Sequence, residues 1–269
     1  MFERHLALWG LTPDGAPIIT RGARLLPVLW QGMAAMLRVS TEPEEKLGGV
    51  LMSWWGGDGA ARVLAQADDA LLLERAQGGR SLSEFARCGR DDEATRIICD
   101  TMAALHAPRA KPLPELTPLF VLFRDLESAA ATHGGLLSQS ARVAHSLLAS
   151  PQEVGVLHGD MHHDNILDFG ARGWLAIDPK GLLGERGFDY ANLFCNPDVG
   201  APTHQVATVP GRFAKRLEIV VERSGLSRRR ILQWILAWTG LSAAWFIGDG
   251  ESPAVVFRIA ELAIVELNR

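Results

Sequence analysis

At Gln77-Gly78-Gly79 the hydrophobic period of this chain changes from two to about 3.6, which restricts the fold to a strand-rich part followed by a helical part. Before the switch, apolar runs at residues 5–11, 18–21, 25–31, 34–39, 62–66 and 70–76 are separated by Pro, Gly or Asp. That punctuation predicts strands of a small antiparallel sheet. Residues 43–55 open with Pro and two glutamates, a good first helical turn, although Gly48 and Gly49 weaken the middle. After the switch, Asp91-Asp92-Glu93 charges a helix start, Ala94, Ile97, Ile98, Met102 and Leu105 form its apolar face, and His106-Ala107-Pro108 ends it. Helices are expected at 119–132 and 139–149, after which residues 154–157 lead into a short polar segment; two brief strands are expected at 165–169 and 173–177, and four helices from Phe188 onward. The expected class is α+β: a small β-rich lobe over residues 1–76, a hinge at 77–80 and a larger, mainly helical lobe over 81–269.

One segment tests whether the chain belongs in a membrane. Residues 231–248 carry no charge and follow Arg228-Arg229-Arg230, which suits a short span. Gln233, Thr239, Gly240 and Ser242 interrupt it, however, and Trp234, Trp238, Leu241 and Trp245 share one helical face. A buried core helix is the expectation, with no membrane partner. The net charge of −4 and the lack of a long basic stripe argue against nucleic acid as a partner. Cysteines 88, 99 and 195 form no C-x-x-C pair, and the N-terminus has no apolar stretch of signal-peptide length, so a cytoplasmic location is expected.

The densest chemistry lies in His158-Gly159-Asp160-Met161-His162-His163-Asp164-Asn165, followed by Ile177-Asp178-Pro179. Asp160 and Asn165, five apart on one loop, can face a single point, and Asp178 at the end of the next strand can reach it. Phosphoryl transfer uses such a set: one carboxylate accepts the alcohol's proton, while an amide oxygen and a second carboxylate hold magnesium against phosphates. Two other readings use the same residues. His158, Asp160, His162, His163 and Asp164 are a chemically reasonable transition-metal set, though H-E-x-x-H is absent and no second His-rich cluster exists. The plainest alternative is a polar loop with buried, hydrogen-bonded histidines.

Several stretches resemble the aminoglycoside phosphotransferases, in particular the streptomycin 6-phosphotransferase branch of aminoglycoside/hydroxyurea resistance kinases. They are Trp54-Trp55, Leu72-Leu73-Glu74-Arg75-Ala76, residues 157–165, Gly173-Trp174-Leu175-Ala176-Ile177-Asp178-Pro179, Gly184-Glu185-Arg186, Phe188-Asp189-Tyr190-Ala191-Asn192 and Trp238-Thr239-Gly240-Leu241-Ser242-Ala243-Ala244-Trp245. The resemblance implies a protein-kinase-like, two-lobed fold that uses ATP and Mg2+. It makes Asp160 the catalytic base and Asn165 and Asp178 the magnesium ligands. Backbone groups around Glu74, Arg75 and Ala76 would meet adenine, and Glu45 would pair with the cation that touches the phosphates. The family expects lysine in the strand Met36-Leu37-Arg38-Val39, where this chain has Arg38. Arg38 is therefore expected to serve, but less well than lysine. Lys46 is expected to point off the other side of its helix. The loop Thr20-Arg21-Gly22-Ala23-Arg24 carries one glycine and reads equally as a phosphate cover or an ordinary hairpin. Asp189 is expected to brace backbone rather than meet substrate.

An acceptor such as streptomycin carries two guanidinium groups, so its site needs carboxylates and an aromatic face. Glu185, Asp198, Asp249 and Glu251, with Trp245 or Trp238, are the candidates. The expected reaction is phosphorylation of the 6-hydroxyl of streptidine by a monomer. The alternatives are another small hydroxylated acceptor such as hydroxyurea, or a nucleotide-binding module with impaired chemistry.

Overall fold

The computed structural model describes residues 2–20, 22–40, 42–200 and 204–269, with the side chains of residues 43–45 outside that set. Among the described residues the chain begins with helix α1 (Glu3–Trp9), where the alternating pattern predicts a strand. The helical reading wins because Phe2, Leu6 and Trp9 fall on one face and, with Leu11, cover the apolar side of the sheet that follows.

That sheet is antiparallel throughout. Its strands are β1 (Thr12–Pro13), β2 (Ile18–Ile19), β3 (Arg24–Trp30) and β4 (Met33–Val39), then, after helix α2 (Pro43–Trp55), β5 (Val63–Ala67) and β6 (Ala70–Glu74). The spatial order is β1-β3-β4-β6-β5, with β2 paired to β3. Arg38 lies on the central strand β4, opposite Leu25 on β3 and Leu71 on β6. Gly48 and Gly49 have a purpose the helix propensities hide. A Cβ on Gly48 would stand 2.2 Å from the Pro179 carbonyl oxygen, and one on Gly49 2.8 Å from a Leu71 methyl. Helix α2 thus touches the segment after Asp178 backbone to backbone, at a helix-propensity cost of about 1 kcal/mol per glycine.

The larger lobe comprises α3 (Leu82–Phe85), α4 (Asp91–His106), β7 (Thr117–Pro118), α5 (Arg124–His133), α6 (Gly135–Ala149), β8 (Val154–Leu157), β9 (Ile166–Asp168), β10 (Trp174–Ala176), β11 (Leu182–Glu185), α7 (Arg212–Ser224), α8 (Arg228–Gly248) and α9 (Ala254–Leu267). Residues 119–132 are not one helix: a 3-10 turn at Leu119–Val121 precedes α5. The tail holds three α-helices, not four, among the described residues, because the segment after Phe188 forms only a 3-10 turn at Asn192–Cys195. Strand β11, unforeseen in the sequence, pairs with β8 and β7.

Helix α8 is the span-like segment. It is wrapped by protein: Trp234, Ile235, Leu236 and Leu241 are buried, and Trp234 packs edge-to-face against Phe188 and at a tilt against Phe123. Its apolar faces are thus covered by its own lobe, as expected of a core helix.

The hinge is pinned to the larger lobe where the period switches. The Gly78 N–H donates to the Asp168 carbonyl at 2.9 Å, and a Cβ there would lie 2.0 Å from the Asp168 carboxyl carbon. Arg80 grips both oxygens of Asp168 (2.7 and 2.9 Å), and this hydrogen bonding holds the carboxyl well below its ordinary range.

Candidate active site

Strand β8 delivers the polar segment to the cleft, and its first residue sets the loop. His158 is fully buried: its Nε2–H donates to the Ile177 carbonyl at 2.8 Å, and its Nδ1 accepts the Asp160 N–H at 3.2 Å. Burial lowers its pKa, so the ring is a neutral brace whose tautomer follows from its partners. Asp189 supports the same turn from behind. Its carboxylate accepts the N–H groups of His158 (2.9 Å) and Gly159 (2.8 Å) and pairs with His106 Nε2 at 2.8 Å. Asp189 braces backbone, as its place in the sequence suggests.

The loop then presents Asp160 between two amides. Asn165 Nδ2 donates to Asp160 Oδ2 at 3.2 Å and to the Asp160 carbonyl at 2.8 Å, while Asn192 Nδ2 donates to Oδ1 at 2.9 Å. Asn192 is the residue that sequence reasoning missed. It stood in the Phe188–Asn192 stretch that carries the resemblance, without a role. With its NH2 engaged on Asp160, the oxygen of the Asn165 amide is the atom left for the neighbouring cavity.

Asp178 follows the β9–β10 hairpin in a left-handed conformation (φ 59°), uncommon for a residue with a side chain. Its Oδ1 accepts Arg38 NH2 at 2.6 Å and its Oδ2 accepts Lys180 Nζ at 3.0 Å. Burial pushes the Asp178 carboxyl up, and the Lys180 and Arg38 charges more than reverse this, to about 2. The carboxylate is therefore ionised at neutral pH. One amide oxygen and one ionised carboxylate suit a magnesium ion whose remaining positions go to phosphate and water oxygens. The buried His158 and His163 do not suit a transition metal: the first has both nitrogens committed to backbone, and the second sits beside the Arg216–Asp91 pair. Among the described residues no cluster of three or more His, Cys, Asp or Glu side chains could hold an ion.

Two cavities flank these groups. The first, about 470 Å³, lies between the lobes and is lined by Met36, Arg38, Glu74, Arg75, Ala76, Asn165, Phe169, Ile177 and Asp178, with Thr20 and Ala23 at its edge. It gathers the residues expected to meet nucleotide, apart from Glu45, whose side chain lies outside the described residues. The carboxylate of Glu74 itself faces Arg172 and the Arg62 N–H, and Arg75 pairs with Asp14. Thr20 and Ala23 close the β2–β3 hairpin through mutual hydrogen bonds; Arg21 of that loop is outside the described residues. Lys46 is exposed and lines a separate cavity against residues 66–71.

The second cavity, about 410 Å³, opens on the other side of Asp160 and is lined by His162, Asp164, Asn192, Asn196, Trp238, Trp245, Asp249 and Glu251. Trp245, Asp249 and Glu251 thus share this cavity with Asp160, joined by Asp164, which accepts the Ser83 hydroxyl at 2.6 Å. Glu185 and Asp198 are not offered to an acceptor. Glu185 is buried and accepts Arg230 (2.7 and 2.5 Å), Trp234 Nε1 (2.7 Å) and the Gln152 N–H (2.8 Å). Asp198 accepts the N–H groups of Val206, Ala207 and Thr208 and the Thr208 hydroxyl. The expectation that either binds acceptor is corrected on this ground: each carboxylate is consumed by buried structural donors.

Comparison with known proteins agrees with this geometry. The model of the aminoglycoside/hydroxyurea antibiotic resistance kinase family matches residues 8–250. A streptomycin 3''-kinase of Klebsiella pneumoniae is 56% identical over 242 residues, covering 90% of this chain and 91% of that protein. A streptomycin 6-kinase of Streptomyces griseus is 30% identical over 274 residues, covering 97% of this chain and 86% of the other. The crystal structure of a thermostable mutant of aminoglycoside phosphotransferase APH(4)-Ia, in ternary complex with ADP and hygromycin B, superposes with a TM-score of 0.66 at 12% identity, covering 97% of each chain. At that identity the likeness concerns the fold, which is protein-kinase-like with a β-sheet lobe and a helical lobe.

Proposed function

This chain belongs to the aminoglycoside/hydroxyurea antibiotic resistance kinase family, and from that premise we propose that it moves the γ-phosphoryl group of ATP to a hydroxyl of streptomycin. One observation carries the reading: Asp160 and Asn165, 3.2 Å apart, stand at the border of two cavities, one lined by Arg38 and Asp178 and the other by acidic and indole side chains. A nucleotide on one side and a cationic acceptor on the other would meet at the base.

Asp160 accepts the proton of the acceptor hydroxyl, and the amide groups of Asn165 and Asn192 hold its carboxylate in place. Arg38 and Lys180 bring positive charge to the phosphate end of the nucleotide cavity. Magnesium held by Asn165 and Asp178 would supply charge neutralisation to the phosphates. Asp164, Asp249 and Glu251 pair with guanidinium groups of the acceptor, and the half-exposed Trp245 offers a stacking face. Three unpaired cysteines suit a reducing, cytoplasmic setting, and one chain holds both cavities, which suits a monomer.

Two hydroxyls of streptomycin have support. The 56% identity to a 3''-kinase favours the 3''-hydroxyl of the amino sugar, and the motif stretches together with the 30% identity to a 6-kinase favour the 6-hydroxyl of streptidine. Either position lies beside a cationic nitrogen, so the acidic cavity serves both. The other readings draw less: the family name includes hydroxyurea, but so small an acceptor has no use for three carboxylates. An impaired nucleotide binder has no use for Asp160, Asn165 and Asp178 together.

The test is nucleotide turnover by purified protein with magnesium and ATP, with and without streptomycin, and Asp160→Ala as control. Streptomycin should stimulate ADP release and gain one phosphate by mass, and phosphorus–proton NMR of the product then assigns the hydroxyl. ATP binding without stimulation by streptomycin would remove the acceptor from the reading and leave the kinase.

A further inference from the structure

Asp160 is held from two directions, and only one of them belongs to its own loop. Asn165 reaches Oδ2 from within the segment, whereas Asn192 reaches Oδ1 from the turn that follows Asp189. Asn192 is itself aimed. Asn196 Nδ2 donates to Asn192 Oδ1 at 2.7 Å and to the Asn192 carbonyl at 3.1 Å, so the Asn192 oxygen faces backward and its NH2 faces the base. Behind this turn lies Arg216, fully buried, whose NH1 donates to the carbonyls of Leu193 and Asn196, each at 2.7 Å. Its Nε and NH2 close on both oxygens of the equally buried Asp91, at 3.0 and 2.5 Å.

We propose that Asn192 is a positioning residue for phosphoryl transfer, aimed at Asp160 by Asn196 on a turn fixed by the buried Arg216–Asp91 pair. The physical case rests on cost and direction. A fully buried ion pair seldom improves on apolar packing of the same volume, and its best-attested use is to specify one arrangement. Here it specifies the carbonyls of the turn that carries Asn192. Gripping both oxygens of Asp160 fixes the carboxylate plane, and with it the lone pair that meets the acceptor hydroxyl. Phosphoryl transfer depends chiefly on such placement. Asn192 and Asn196 also line the acceptor cavity, so the grip is applied on the side where the alcohol arrives.

The inference rests on reading the site as a phosphotransferase, and its test separates the two. Full-length protein and the variants Asn192→Ala, Asn196→Ala and the pair are compared in steady-state kinetics with ATP, magnesium and streptomycin. Asn192→Ala should lower kcat on the order of 10–100-fold, the scale of a misplaced catalytic group, with the KM for ATP within roughly twofold. Asn196→Ala should cause a smaller loss that vanishes in the Asn192→Ala background, because its effect passes through Asn192. A purely structural role would give additive losses and a lower Tm instead. Asn192→Ser, which keeps a donor in less volume, should keep the wild-type Tm and recover part of kcat. Wild-type kcat in Asn192→Ala, or additive losses in the double variant, would overturn the proposal. If streptomycin fails to stimulate the wild-type protein, the same comparison is made on the part of basal ATP hydrolysis that Asp160→Ala abolishes.

Discussion

Glu185 offers the sharpest separation of structural from acceptor-binding acid. Its carboxylate is buried under four donor contacts: two from Arg230, one from the Trp234 indole and one from the Gln152 backbone. Glu185→Ala leaves a largely buried guanidinium, an indole N–H and an amide N–H without their acceptor. Removing one partner of a buried ion pair costs about 3–5 kcal/mol. At roughly 2 °C per kcal/mol for a chain of this size, Tm should fall by about 6–10 °C. Glu185→Gln keeps the volume and loses the charge, for about 1.5–3 kcal/mol. Thermal unfolding reads the first quantity, and steady-state kinetics below Tm should show an unchanged KM for streptomycin in both variants. Acid supplies a second check. Burial raises the Glu185 carboxyl, but Arg230 and its other donors bring the net shift below the ordinary 4.5. Its contribution is therefore complete above that value and is lost as pH falls through the lower folded one. The Tm gap between wild type and Glu185→Gln should accordingly narrow below about pH 4.5. A raised streptomycin KM at unchanged Tm would refute the structural assignment.

Three further outcomes follow from the geometry. Asp249→Asn with Glu251→Gln should raise the streptomycin KM about 10–100-fold, the worth of one or two charge-assisted hydrogen bonds, and leave the KM for ATP alone. Arg38→Lys shortens the side chain's reach by about 1 Å, which places an ammonium beyond hydrogen-bond distance of Asp178, now 2.6 Å from the guanidinium. The KM for ATP should rise, against the sequence-based expectation that lysine serves better; equal affinity and turnover would show that the seat is not specific to arginine. Gly48→Ala should lower kcat/KM for ATP despite alanine's better helix propensity, since the added methyl meets the Pro179 carbonyl; a more stable, fully active variant would refute the close approach.

The residues proposed to carry the reaction were legible in the sequence because they are local. Asp160 and Asn165 share one loop and Asp178 ends the next hairpin, so spacing alone nearly places them. The acceptor side was legible only in part. Glu185, Asp198, Asp249 and Glu251 look alike as acids in a helical lobe, and what separates them is the partner each meets in three dimensions. Arg230 lies 45 residues from Glu185, and the amides held by Asp198 lie eight to ten residues further along the chain. Asn192 escaped for the same reason, since its partner Asp160 is 32 residues away. The helix Glu3–Trp9 was misread because the short apolar run at residues 5–11 fits a strand as well as a helix, and only the sheet beneath decides.

The contact of Gly48 with Pro179, answered by Gly181 against Leu47, has a bearing on control. Many kinase folds are silenced by swinging the corresponding helix away from the metal-binding turn, which breaks the charged grip on phosphate. In this chain Gly48 meets the Pro179 carbonyl directly and Gly181 lies against the Cβ and backbone of Leu47, so helix and turn are packed with little room between them. A catalyst built this way is assembled as soon as it folds. On the proposed reaction, its output would then follow how much protein, acceptor and nucleotide are present, with no separate activation step.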